Sequence, residues 1–87
     1  MRILEMKNLT KKDLPLHYRK EFLGQAVFET MEKKKVEKRI EFSLEHSPTG
    51  KIDVKVKLLE DLDYPLVPAL NRLKDYIYKL EQKGKLP

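Results

Sequence analysis

The 87-residue sequence predicts an α+β domain, and three stretches carry that prediction. Ile40, Phe42 and Leu44 alternate with Glu41, Ser43 and Glu45. After Ser47-Pro48-Thr49-Gly50, Ile52, Val54, Val56 and Leu58 alternate with Asp53, Lys55 and Lys57. A period of two is that of a strand with one buried and one wet face, so the pair reads as an antiparallel β-hairpin. Further on, Leu66, Leu70, Leu73, Ile77 and Leu80 recur at spacings of four and three, the stripe of an amphipathic helix able to cover the hairpin's apolar face.

The opening residues are the least legible, and the chain divides into an N-terminal segment over 1–14 and a single small domain over 15–87. Arg2 to Met6 reads equally as a short strand, with Leu4 and Met6 on one face, or as a disordered start. Thr10 and Asp13 have the spacing of a helix capping box, and Pro15 suits a first helical position, so an N-terminal helix is expected from Pro15. Its stripe would be Leu16, Leu23, Val27, Thr30 and Met31, with Gly24 an interior cost of roughly 1 kcal/mol. A strand from Ala26 to Met31 also fits the aromatic and β-branched content; the helix is the preferred reading. Lys33, Lys34 and Lys35 would then oppose the negative end of its dipole.

Two registers fit the hairpin. A three-residue loop faces Phe42 with Val56 and Leu44 with Val54 but sets Glu45 against Asp53; a five-residue loop pairs Glu45 with Lys51 and Glu41 with Lys55. Both keep the same face inward. Glu60 to Val67 is a connector in which Leu62, Tyr64 and Leu66 alternate, an optional third strand that Pro65 would confine to an edge. The sheet is thus a two- or three-stranded antiparallel meander. In the closing helix Pro68 fits the first turn, and Gly84 marks the end.

Composition narrows the function classes. There is no Cys, hence no disulfide and no thiolate metal site, and His17 and His46 stand too far apart to suggest ligation. No apolar run approaches a membrane span, and the chain is expected to be soluble and cytoplasmic, without contact to a membrane. No phosphate loop, nucleophile motif or nucleophile–base pair can be assembled, so neither an enzyme, a cofactor nor a metal is expected. Glu60, Asp61 and Asp63 read as ordinary acids before a helix rather than a cation loop. The net charge of +5 leaves nucleic acid open as a partner, and Lys33, Lys34, Lys35, Lys38 and Arg39 form the candidate basic surface. Val67, Tyr76 and Tyr78 form a candidate partner patch.

Taken together, IEFSLEH, KIDVKV, the Val67-Pro68 pair and LNRLKDYIYKLEQKGKL resemble the FlaG family of small flagellar accessory proteins over residues 39–87. LLEDLDYP stands where that family has an acidic, Thr-Gly-containing turn, and the Arg before its Ile-Pro pair has no counterpart here. The resemblance implies a non-enzymatic role linked to the flagellum and a third strand near Leu62 to Leu66. The expectation is therefore a non-catalytic protein-interaction module, with another protein as partner and a homodimer also compatible. The competing class is a small basic RNA- or ribosome-binding factor.

Overall fold

The computed structural model describes residues 1–87 and contains four strands and one helix: β1 (Arg2–Lys11), β2 (Arg19–Glu29), β3 (Lys35–His46), β4 (Ile52–Leu58) and α1 (Leu66–Gln82). The strands form one antiparallel sheet in the order β1-β2-β3-β4. The helix lies across one face, touching β4 and β1 and closing over β2 and β3 between them. No helix is long and apolar enough to cross a membrane.

The expected N-terminal helix does not exist. Its residues are β2, in which Phe22, Ala26 and Phe28 are fully buried on the helix-covered face. Two features disguise the alternation. Val27 is buried on the opposite face too, at 5% exposure, and Gly24 occupies an inward position where an apolar side chain would have marked the period. A Cβ on Gly24 would stand 2.5 Å from Leu9 Cδ2 of the neighbouring strand. The glycine is therefore a site of close approach between strands, not a helix defect. Of the expected helical stripe, Leu16, Leu23 and Met31 are exposed.

Residues 2–11 form β1, with bulges between Ile3 and Glu5 and between Lys7 and Thr10. The first takes Leu4 out of phase, so Ile3 and Met6 pack on the core rather than Leu4 with Met6. At the second, Asn8 takes φ 55°, a left-handed conformation that Asn tolerates, and its amide donates to Gln25 Oε1 at 2.7 Å. This reset lets Leu9 reach the core beside Gly24.

Of the two registers at the β3–β4 hairpin, the three-residue loop is adopted. Phe42 faces Val56, Leu44 faces Val54, and Glu45 faces Asp53 in spite of the like charges. The loop's own chemistry decides this: Gly50 has φ 86°, Gly50 N–H donates to Ser47 O at 3.0 Å, and Lys51 N–H donates to Ser47 Oγ at 3.1 Å. The β2–β3 turn repeats the pattern. Lys33 N–H donates to Thr30 O at 2.9 Å and Lys34 N–H to Thr30 Oγ1 at 3.2 Å, with Lys33 at φ 61° where a glycine would be unstrained.

The segment expected as a third strand near Leu62 to Leu66 is a bent connector instead; Pro65 precedes the helix, and only Leu62 packs on the core. The core is built by Phe22, Phe28, Ile40, Phe42, Leu44, Leu73 and Ile77. At its centre Phe22 and Phe42, directly opposite on adjacent strands, stack with centroids 4.9 Å apart and planes 18° from parallel. Ala69, Leu73 and Ile77 form the buried face of α1, whereas Leu66 at its start is 55% exposed.

Two stability measurements check this geometry. Replacing Lys33 by Gly relieves a left-handed non-glycine residue and should raise unfolding free energy in urea by about 1 kcal/mol. Gly24→Val forces a branched side chain against Leu9 and should lower it by about 1–3 kcal/mol.

Candidate functional site

The two faces of the sheet differ in what they offer. On the face away from α1, acids and bases interleave across the strands. Arg2 meets Glu29 at 3.2 Å, Lys7 meets Glu37, Lys12 meets Glu41 at 2.8 Å, and Arg19 meets Glu21 at 3.3 Å and Glu45 at 3.6 Å. Glu41 is held below the usual carboxylate range chiefly by its hydrogen bond from Lys12, and Lys7 is raised chiefly by its bond to Glu37. Such a surface is already paired with itself, and no exposed aromatic stands on it.

The helix-covered face is different because α1 is shorter than the sheet. Glu81 near the end of α1 lies 4.0 Å from His46 at the end of β3, so the helix covers the sheet from that end. At the other end β2 and β3 run on past β4, whose last residue Leu58 pairs with Ile40. Between this overhang and the connector before α1 lies a groove of about 550 Å³. Met1, Phe28, Met31, Val36, Leu62 and Tyr64 supply its apolar lining, and Thr30, Glu32, Lys34, Lys38 and Asp63 its polar rim. Met31 on the hairpin tip is 89% exposed above it.

The connector is fixed from both sides. Leu59 N–H donates to Arg39 O at 3.0 Å, and Glu60 Oε2 accepts from Arg39 N–H at 2.7 Å while standing 3.4 Å from the Arg39 guanidinium. The backbone N–H, followed by the guanidinium charge, holds the Glu60 carboxyl below its ordinary value of 4.5. Glu60 is thus a side-chain continuation of the β4 ladder. It is unavailable for a cation site with Asp61 and Asp63, and no three of His, Asp and Glu stand together so as to hold a metal ion.

The candidate basic surface is divided by strand geometry. Lys33 and Lys34 lie at the hairpin tip, where Lys34 meets Glu32 at 3.4 Å; Lys35 opens β3 opposite Glu29; Lys38 lines the groove; Arg39 is occupied by Glu60. Lys33, Lys34, Lys35 and Lys38 therefore surround one end of the molecule rather than forming a single strip. The candidate partner patch also divides. Val67 and Tyr78, 67% and 39% exposed, are eleven residues apart and share a side of α1, while Tyr76 lies nine residues from Val67 on the opposite side and is half-buried.

Two concavities were not anticipated from sequence. The groove could have been inferred from Val36, which is in phase with Ile40, Phe42 and Leu44 and extends the apolar face beyond the reach of β4. The second is a pocket of about 480 Å³ in the β1–β2 loop, lined by Lys11, Lys12, Asp13, Leu14, Leu16, His17, Arg19 and Lys20. Lys12 and Arg19 are engaged with acids there, Lys11 and Lys20 form no ion pair, and Tyr18 beside it is half exposed. The basic and aromatic run KKDLPLHYRK carried that signal.

This is a small α+β protein: a four-stranded antiparallel meander covered on one face by one C-terminal helix. The model of the BB_0187 family matches residues 1–82, and the chain belongs to that family. No curated protein and no solved structure matches the chain.

The connector's attachment has a pH signature. Because Glu60 titrates below its unfolded value, its contribution is present above pH 4.5 and is lost as pH falls through the lower folded value. Glu60→Gln keeps an acceptor for Arg39 N–H but removes the charge. Its stability should fall less than that of the parent between about pH 5 and pH 3, measured by urea unfolding at each pH.

Proposed function

We propose that this protein is a non-catalytic protein-interaction module whose contact surface is the groove at the β2–β3 hairpin end. The observation that carries this reading is an apolar concavity left open by a helix shorter than the sheet it covers, rimmed by Lys34 and Lys38 and overhung by Met31. Apolar surface gathered in a concavity with a polar rim is the usual anatomy of a contact site, whereas singly scattered apolar residues are not. The flagellar role implied by the FlaG resemblance contributes no residue to the groove, and the reading does not depend on it.

A photoreactive residue at Lys34, introduced in the source cells, should form one defined adduct with another polypeptide, and the same residue at Thr49 on the opposite hairpin should not. Met31→Asp, a change at an exposed position, should abolish the Lys34 adduct without altering thermal unfolding. Equal adducts at both sites would remove the groove from consideration.

A second reading, binding of RNA, is favoured by the β1–β2 pocket with its unpaired Lys11 and Lys20 and adjacent Tyr18. It predicts affinity for single-stranded RNA that falls steeply with salt. Lys11→Glu with Lys20→Glu should lower the slope of log K against log salt by about 1 or more. Absence of binding at low salt eliminates it.

A further inference from the structure

We propose that the free edge of β3 at Lys35 and Glu37 receives an extended, acidic peptide segment of a partner protein as an additional strand, with its inward side chains filling the groove. This rests on the interaction reading above and deepens it by specifying the conformation and charge of the partner.

The backbone supplies the first argument. Along β3 the even-numbered residues bond toward β2, as His46 N–H does to Tyr18 O at 2.7 Å, and the odd-numbered ones toward β4, as Ser47 N–H does to Lys51 O at 2.9 Å. Arg39 is the last odd residue satisfied on the β4 side, by Leu59 N–H and Glu60 Oε2. Lys35 and Glu37 come next in that series, and no backbone or side-chain group meets their outward N–H and C=O. Lys35 to Arg39 would template about 17 Å of strand. Their pairing with β2 is unbroken from Arg19↔Glu45 to Glu29↔Lys35, so the template is regular.

The other edges are defended. β1 carries two bulges and the left-handed Asn8, which disrupt pairing from outside. β4 carries Asp53, Lys55 and Lys57 on its wet face, the charges that discourage edge-to-edge association. Only the overhang of β3 is both regular and adjacent to an apolar concavity. A strand added there would project alternate side chains toward Val36, Leu62 and Tyr64, so it must be apolar at every second position.

Charge specifies the rest. Lys33, Lys35 and Lys38 have no ion-pair partner, and Lys34 has only Glu32 on an exposed tip. Asp63 is the other acid on the rim. Lys33 moreover occupies a left-handed position at which glycine would be unstrained, so a cationic side chain is kept there at a conformational cost. An incoming strand with Asp or Glu at its outward and flanking positions complements this rim.

The test selects a displayed peptide library on the full chain, then measures synthetic versions by fluorescence anisotropy and by amide hydrogen exchange. Selected peptides should alternate apolar residues with Asp or Glu. N-methylation at every second amide, the set facing β3, should weaken binding about tenfold or more, while methylation one residue out of phase leaves it nearly unchanged. Exchange at Lys35 and Glu37 should slow at least about tenfold in the complex, and Lys33→Gly should cost up to about fivefold in affinity while raising stability. If all N-methyl positions are tolerated, or Lys35 and Glu37 stay unprotected, strand addition is wrong although the groove still binds protein. If no peptide is selected and the Lys34 adduct is also absent, the interaction reading falls with it; if the adduct forms alone, only the extended-peptide proposal falls. A peptide-free protein that sediments as a dimer with both amides already protected replaces the peptide with a second copy of the chain.

Discussion

One helix must cover a sheet that is longer than itself. Twelve residues of β3 extend about 40 Å, close to the molecule's long dimension of 42 Å, whereas the 17 residues of α1 extend about 25 Å. Because α1 ends beside His46, all of the shortfall accumulates at the β2–β3 hairpin end. Where helix and sheet overlap, Leu73 and Ile77 meet the stacked Phe22 and Phe42 and water is excluded. Where they do not, the same apolar face continues through Phe28 and Val36 into a groove. Core and candidate site are thus two parts of one surface, separated by the length of a helix.

The connector between β4 and α1 makes this arrangement specific. Arg39 is gripped on both backbone groups, by Leu59 N–H and by Glu60, at the point where β4 leaves the sheet. From there the chain turns over the edge, places Leu62 and Tyr64 as one wall of the groove, and starts the helix at Leu66 after Pro65. A side-chain acceptor thus takes over at the place where a continued strand would have supplied one. The consequence is that Lys35 and Glu37, two steps further, keep free backbone groups next to apolar walls. The opposite face of the sheet offers no equivalent, since its Lys, Arg and Glu side chains are largely paired with one another, each pair exposed enough that its contribution to stability is small.

The elements that were legible in the sequence are those whose pattern is uninterrupted and whose two faces see different environments. β3 from Ile40, β4 and α1 satisfy that condition. β1 and β2 do not, for identifiable reasons: two bulges shift the phase of Ile3, Met6 and Leu9, Gly24 removes an inward side chain, and Val27 is buried on the outward face. Loose periodicity with a proline nearby then imitates a helix, and neighbouring strands override it. The candidate residues fared similarly. Lys33, Lys34, Lys35, Lys38 and Arg39 are contiguous in the chain, but strand alternation sends them to different faces; Tyr76 and Tyr78 are close in number and divergent in direction.

The sequence by itself determined the α+β class, the β3–β4 hairpin with its Gly50 turn, and the amphipathic helix with Leu73 and Ile77 inward, because these follow from local periodicity and turn chemistry. Tertiary structure decided the rest. That β1 and β2 are strands depends on long-range pairing, and that Gly24 is tolerated depends on Leu9 of another strand. The groove exists only because two elements of different length are laid against each other from the His46 end. Such a length difference is encoded in no single segment, so it becomes visible only when sheet and helix are assembled.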